Sequence, residues 1–443
     1  MRNTFILLAI SYLFVLGVTY PFVAGMAYIW IDIVKPQSLG YDFLNSLPMS
    51  MIGAVFVVVV YYLKPSKSKT SFSLIQILLL VLAAWVTITT YLADPILGSW
   101  RKWDPAFKCL VFSAFIPFIF RSRIQIEAYL LTIIFSISTF AFVAGAKTLL
   151  GGGGYGSLAT LGGGNSGFSE SSTLAAVGVM LLPLIHYMRN HSIIFGGSKF
   201  FKLMMLGLSI ICVAAVVGTA ARTGLIALIF LAACYIFHAK NKVILTVLLA
   251  SVIGIGAFLN LEGTRWGSRM STISTYEQES SAAGRIAVWK WTMDYVSSNP
   301  MGGGFDVYRL NNIMTVDSNG AIGYFPPSSG IGNGKAFHSI YFEVLGEQGI
   351  FGFIVYYFIM LLTFFQLGKI SRVVRNRPEL AWIADLALKI RLAQMVMLVS
   401  GLFIGIAYQP SMFYLVAATV SLMAFLKTQQ SSVPSWSYNA KTV

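Results

Sequence analysis

The sequence predicts an all-α polytopic membrane protein, with about twelve transmembrane helices and one long helical loop on the outer side. Three observations carry that prediction. Of 443 residues, 57% are hydrophobic and 11% charged, whereas soluble domains carry roughly 25% charged residues; a soluble enzyme is excluded. Apolar runs of about the 20 residues a spanning helix needs recur from Phe5 to Leu426. Runs such as Leu74 to Trp85 are apolar on every face, where a barrel strand would alternate apolar and polar residues over about ten positions. Lipid then imposes helices, because every backbone polar group must be satisfied within its own segment.

Taken in order, the candidate spans are 4–34, 49–63, 71–92, 106–120, 124–149, 171–188, 201–219, 222–237, 243–261, 339–367, 383–407 and 411–426. The first is long and contains Pro21, which removes a helix hydrogen bond, so it is one broken helix or two short ones. No small-residue cleavage site precedes a soluble region, and the segment reads as an uncleaved first span. Residues 1–200 form an N-terminal helical region and 201–370 a core containing the loop 262–338. Residues 371–443 supply C-terminal helices and a tail.

The net charge of +15 does not point to nucleic acid, because the basic residues fall in short clusters between apolar runs. Lys64, Lys67 and Lys69, then Arg121 and Arg123, then Arg189, Lys199 and Lys202, then Lys240 and Lys242, and finally Lys369, Arg372, Arg375 and Arg377 occupy every second connection. By the positive-inside rule those connections are cytoplasmic. An even span count puts both termini inside and leaves 35–48, 93–105, 150–170, the turn near Arg222, 262–338 and the turn at Gln409 and Pro410 outside. Cys109, Cys212 and Cys234 lie in apolar sequence without metal-type or redox spacing.

The segment from Glu262 to His338 carries six basic and six acidic residues with aromatics throughout, too mixed for a floppy linker. Within it Ile286, Trp289, Met293 and Val296 recur at three and four residues, which predicts a helix on or near the membrane surface that ends at Asn299 and Pro300. A folded cap without chemistry is the plain alternative. His186, His191 and His238 fall at inferred cytoplasmic ends, as solvated interfacial residues; His338 faces outward, where the loop re-enters the membrane.

Arg222 sits beside apolar sequence on the outer side, where topology does not ask for it. Buried arginine is costly in a membrane and takes a partner; a snorkelling interface residue is the alternative to an anion-binding one. Arg285 opens the amphipathic helix, where a basic side chain opposes the helix dipole, so an anionic ligand or nearby carboxylate is expected. Guanidinium matches phosphate oxygens bidentately and stays charged at any relevant pH. Arg265, Arg269, Lys290, Arg309 and Lys335, with Arg101 and Lys102 in the preceding outer connection, are expected to be solvated or paired with Glu262, Glu277, Glu279, Asp294, Asp306 and Asp317.

No Asp-x-Asp pair, HExxH, GxSxG or Walker lysine occurs, and Glu277 and Glu279 are the one acidic pair of the loop, so no metal site is expected. The glycine-rich stretch 151–167 lacks a GK[ST] ending and reads as a flexible connector or a close-approach surface for a bulky ligand. An outer cavity with arginines, one histidine and no metal ligands suits a substrate that brings its own leaving group, such as a lipid pyrophosphate. The guanidiniums neutralise the departing charge. His338, kept neutral by neighbouring positive charge, takes the proton of an attacking hydroxyl, and the chemistry is glycosyl transfer.

The arginine of AARTG, the loop sequence GRIAVWKWTMDYVSSNPMGGGF and the re-entry FHSIYFEVLGEQGIFG resemble the O-antigen ligase and polymerase superfamily of bacterial membrane glycosyltransferases, over about residues 205–365. The N-terminal part, with PFVAGMAYIWIDIVKPQSLGYDFLNSLPMS and the GGGGYG loop, is similar to O-glycosylation ligases of exosortase systems. The resemblance implies a GT-C-like bacterial inner-membrane enzyme, working without cofactor or metal on the periplasmic side. It would move an undecaprenyl-pyrophosphate-linked glycan en bloc, with inversion, to a sugar of the lipid A core. Membrane lipids are its other partners, and a monomer is expected. The family's essential arginines match Arg222 and Arg285 and its histidine matches His338; Ser339 stands where the family has Asn. Polymerase and protein O-oligosaccharyltransferase share the donor and stay open. So does a transporter of lipid-linked sugar, although no internal repeat supports it.

Overall fold

A computed structural model describes residues 2–41, 43–64, 72–151, 167–168, 170–238, 280–311, 313, 315–316, 322–323 and 334–431. Among them are fourteen α-helices: α1 Arg2–Thr19, α2 Pro21–Val34, α3 Phe43–Ser46, α4 Met49–Leu63, α5 Leu74–Leu92, α6 Trp100–Phe115 and α7 Arg123–Gly151. They continue with α8 Ser171–His191, α9 Lys199–Gly218, α10 Arg222–His238, α11 Ser280–Ser298, α12 Ile340–Val374, α13 Ala381–Ser400 and α14 Pro410–Ser431. The strand pairing among the described residues is Thr315–Val316 against Ile322–Gly323, antiparallel.

Seven of these helices are long and apolar enough to cross a membrane, and α2, α4 and α10 are shorter apolar helices. The chain is therefore a polytopic helical membrane protein. The expected span 243–261 lies outside the described residues. Two other expected spans carry charges: α6 begins with Arg101, Lys102 and Asp104 ahead of the expected 106–120 and has Lys108 within it, and α13 carries Asp385, Lys389 and Arg391. Burial separates inner from peripheral spans. In α8, which packs against α7, α9, α10 and α13, 83% of the spanning window is buried, whereas in α1 it is 17%, with Phe5, Leu8 and Val15 left to face lipid.

Pro21 settles the first segment as two helices, because α1 ends at Thr19 and the proline opens α2. They fold back on one another. Asn3 of α1 both accepts from the Tyr41 amide (2.9 Å) and donates to its carbonyl (3.0 Å) beyond the end of α2, and Gly17 lets the Ala24 methyl approach. The expected first span is therefore a pair of packed helices, α1 and α2.

Other elements hold by ordinary devices. A capping box between Ser73 and Gln76 starts α5, and the Gln76 amide also donates to Ala114 O (2.7 Å), fastening α5 to α6. Buried tyrosines place their hydroxyls on partners: Tyr129 on Tyr414 O (2.7 Å), Tyr356 on Ala407 O (2.6 Å) and Tyr414 on Asp32 Oδ2 (2.5 Å).

The expected span 339–367 is a helix that breaks. Gly349 has φ 64° and ψ −166°, which separates a short arm, 340–348, from the long remainder of α12. The break is fully hydrogen-bonded by the segment after α11. Gly303 N–H donates to Gly346 O (3.0 Å), Gly304 N–H to Glu347 O (2.9 Å), and Ile350 N–H to Pro300 O (2.9 Å). Trp85 Nε1–H reaches the Gln348 carbonyl (2.8 Å). A Cβ on Gly349 would fall 2.2 Å from Pro300 O, and one on Gly302, itself at φ 78°, 2.4 Å from Gly349 N. Glycine is the residue that fits both places.

Candidate active site

The expected helix after residue 280 exists as α11, but its packing face is shifted. Gly284, Val288, Thr292 and Val296 are buried, whereas Ile286 and Met293 are each 56% exposed. The small residues allow closer approach than the larger apolar ones: the Thr292 methyl lies against Gly346 of the short arm of α12, and Lys335 crosses the face of Gly284. Val288, Val307, Phe337 and Leu97, with Trp289 and Phe342 stacked at 4.9 Å, form a separate small core. That core binds α11 to the chain entering α12.

His338 is held from both sides of the sequence. The Phe337 ring is buried and its carbonyl accepts from Trp289 Nε1 (2.9 Å), while Ile340 N–H donates to Gly401 O (2.8 Å). Between these anchors His338 adopts φ 49°, a left-handed conformation that costs a non-glycine residue energy and is found where surrounding structure enforces it. The imidazole is half-buried. Burial first, then the positive charge of Arg285 and, less strongly, that of Lys335, hold its pKa below the ordinary histidine value against the opposing pull of Glu170 and Glu343.

Lys335 is fixed by a reciprocal pair with buried Asn311: its N–H donates to Asn311 Oδ1 (2.9 Å) and its carbonyl accepts from Nδ2 (2.8 Å). Burial and the Arg285 charge push the Lys335 pKa down. Among the described residues no ion pair joins Arg285 or Lys335 to a carboxylate.

Arg222 opens α10 directly after a tight turn in which Ala220 has φ 50° and Thr219 Oγ1 accepts from Ala221 N–H (3.3 Å). Gly224, two residues along, lies against Ala175 of α8, and Glu170, which His338 senses electrostatically, is the N-cap residue of α8. The structure thus brings Arg285 and His338 together and sets Arg222 at the same end of the bundle, one helix removed.

Beneath His338 lies a second polar group. Lys102 Nζ is 2.6 Å from both Glu343 Oε1 and Glu347 Oε1, whose residues sit one turn apart on the short arm of α12. Glu343 also accepts from Ala407 N–H (3.0 Å) and Glu347 from Asp306 N–H (3.0 Å). Lys102 therefore pairs with α12 and not with the loop acids expected from sequence. Sequence reasoning missed both glutamates, although two carboxylates four residues apart in an apolar helix are a readable signal. Lys335 had been grouped with solvated cations; its place three residues before His338 was the available clue.

Arg309 pairs with Asp306 (3.5 Å), as expected, and Arg101 and Lys290 are exposed. At the opposite end His191 is not simply solvated: it meets Asp385 at 3.3 Å. Arg265, Arg269, Glu262, Glu277, Glu279, Asp317, Lys67, Lys69, Lys240, Lys242 and the glycine-rich residues 152–166 lie outside the described residues. Among those described, no three His, Cys, Asp or Glu side chains converge as a metal site requires.

Fold and site together define a multi-pass membrane protein with a cationic, histidine-bearing site at one end of its helices. Residues 207–357 match the family model described as O-Antigen ligase, and residues 1–193 match a family of unknown function, DUF5935. The stretch that matches the O-Antigen ligase model contains Arg222, Arg285, Lys335, His338, Glu343, Glu347 and the glycine joint. No curated protein matches the chain.

Proposed function

We propose that the protein transfers a glycan from undecaprenyl pyrophosphate to a sugar hydroxyl of the lipid A core, on the periplasmic face of the bacterial inner membrane, as a metal-independent, inverting O-antigen ligase. The observation that carries this reading is the pair of cations, Arg285 and Lys335, crowding a half-buried His338 whose pKa they lower. Like charges gathered with no ion-paired carboxylate among the described residues are unfavourable until an anion arrives.

In the reaction the acceptor hydroxyl attacks the anomeric carbon and the new C–O bond forms as the bond to the pyrophosphate oxygen breaks. The hydroxyl proton passes to the neutral imidazole of His338. Both electrons of the broken bond leave with undecaprenyl pyrophosphate, whose added negative charge Arg222 and Arg285 stabilise through guanidinium–phosphate hydrogen bonds. Attack opposite the leaving group inverts the anomeric centre.

The test is transfer by the purified protein, reconstituted with lipid-linked glycan and lipid A core. A ligase yields glycosylated core, in the presence of chelator as well as without it. Lengthened lipid-linked glycan with bare core would mean a polymerase, and glycan attached to an added protein acceptor a protein O-oligosaccharyltransferase. Movement of labelled lipid without a new bond would mean a transporter. Strict dependence on added divalent metal would refute the arginine-based scheme.

A further inference from the structure

A cleft opens in the N-terminal region, at the end of the bundle where His338 lies. It has a volume of about 240 Å3 and is lined by Asp32 and Lys35 at the end of α2, Gln37 in the following turn, Asn45 in α3, and Asp104 and Lys108 of α6. Asp104 is two residues from Lys102, the cation held by Glu343 and Glu347. Asp32 is tied by Tyr414 near the start of α14 (2.5 Å), and the segment leading into α14 contains Ala407, the amide bound by Glu343.

The chemistry of the lining restricts its occupant. Lys108 Nζ lies 2.7 Å from the Asp104 carboxylate, so that pair is electrically balanced. Two carboxylates and two ammonium groups leave no net charge. A phosphate would face Asp32 and Asp104, a metal ion would compete with two lysines, and an acyl chain would strip water from six polar side chains, offset only by Pro48, Met49, Met51 and Pro105, which also line the cleft and suit the C–H face of a ring. The buried Gln37 Oε1 has no hydrogen-bond partner among the described residues, an acceptor without a donor. Lys35, which caps α2, is held at φ 49°, another left-handed non-glycine residue.

A ligand that satisfies this set must be neutral, small, and rich in groups that donate and accept at once, which is the chemistry of a hydroxyl. The cleft, about 240 Å3, admits a group the size of a sugar ring. We propose that the cleft formed by Asp32, Lys35, Gln37, Asn45, Asp104 and Lys108 binds a neutral saccharide ring, making the N-terminal region a sugar-binding unit. This does not depend on the roles given to Arg222, Arg285 and His338.

The test is saturation-transfer NMR on the full-length protein in nanodiscs, with the methyl glycosides of glucose, galactose, mannose and N-acetylglucosamine as probes and inorganic phosphate as competitor. At least one glycoside is expected to receive saturation. Binding should be unchanged by His338→Ala and weakened about tenfold by Asp104→Asn, the loss of one charged hydrogen bond. Asp104 is half-exposed, so the amide is well tolerated; Lys108→Met serves as the second variant, and circular dichroism checks that both fold. Absence of saturation for all four glycosides would overturn the proposal. So would loss of the signal in His338→Ala with retention in both cleft variants, or displacement by phosphate. Failure of glycan transfer would leave this measurement untouched.

Discussion

The two ends of the helix bundle use charge in opposite ways. Where α7 starts and α8 finishes, charges are matched and serve as fasteners. The Glu127 carboxylate accepts from Ser192 Oγ and from the amides of Ile193 (2.9 Å) and Ile194 (3.1 Å). Arg123 donates to His191 O (3.2 Å), and Asp385 meets both His191 (3.3 Å) and Lys389 (3.7 Å). At the other end Arg285 and Lys335 depress the protonation of His338, and each cation stands without a carboxylate partner among the described residues. One end is organised for stability. At the other, beside the matched group of Lys102, Glu343 and Glu347, the cations around His338 sit against a strained backbone, the arrangement expected where a ligand completes the structure.

Among the cations, the largest effect that separates the ends is expected at Arg285. Arg285→Ala should cut transfer by about 10²–10³, comparable to removing a transition-state hydrogen-bond donor. Arg285→Lys should recover little, because an ammonium cannot replace a bidentate fork; quantified lipopolysaccharide gels of complemented strains read both. Next is Lys102→Met, which strands Glu343 and Glu347 and should cost about 3–5 kcal/mol of stability. Adding Glu347→Gln should return part of it, measured by thermal unfolding in detergent.

Gly349→Ala should destabilise by at least about 1–3 kcal/mol, because its dihedrals belong to glycine and the added methyl collides with Pro300 O. Glu127→Gln at the opposite end should lower the unfolding midpoint while transfer per folded molecule stays unchanged, which would confirm that this end is a fastener. The smallest effect is expected at Lys335. Its charge lowers the His338 pKa, so Lys335→Met should raise that pKa and move the acid limb of the pH–rate profile upward. In the wild type that limb should lie below about pH 6.5, the unperturbed histidine value.

The sequence made the helical membrane class plain, because composition and the length of apolar runs depend on lipid alone. The alternation of basic connections led to the expectation that His338, Arg222 and Arg285 share one side, and the structure sets the three at one end of the bundle. The sequence could not place the packing face of α11. Ile286, Trp289, Met293 and Val296 mark an apolar stripe, but Ile286 and Met293 stay exposed while Gly284 and Thr292 make the close contacts. Small residues carry no hydrophobic signal even where they decide how near two helices come. The break at Gly349 was hidden for a related reason: its partners, Pro300 to Gly304, lie some fifty residues earlier, and nothing local announces the pairing. Lys102 with Glu343 and Glu347 is likewise a contact across more than two hundred residues.

The most direct test of the account is a single-turnover transfer assay on reconstituted wild-type protein and His338→Ala, both verified as folded and inserted. The account predicts a new glycosidic bond with the first and a rate lower by about 10²–10⁴ with the second, the range for loss of a positioned general base. Equal rates for the two proteins would contradict it.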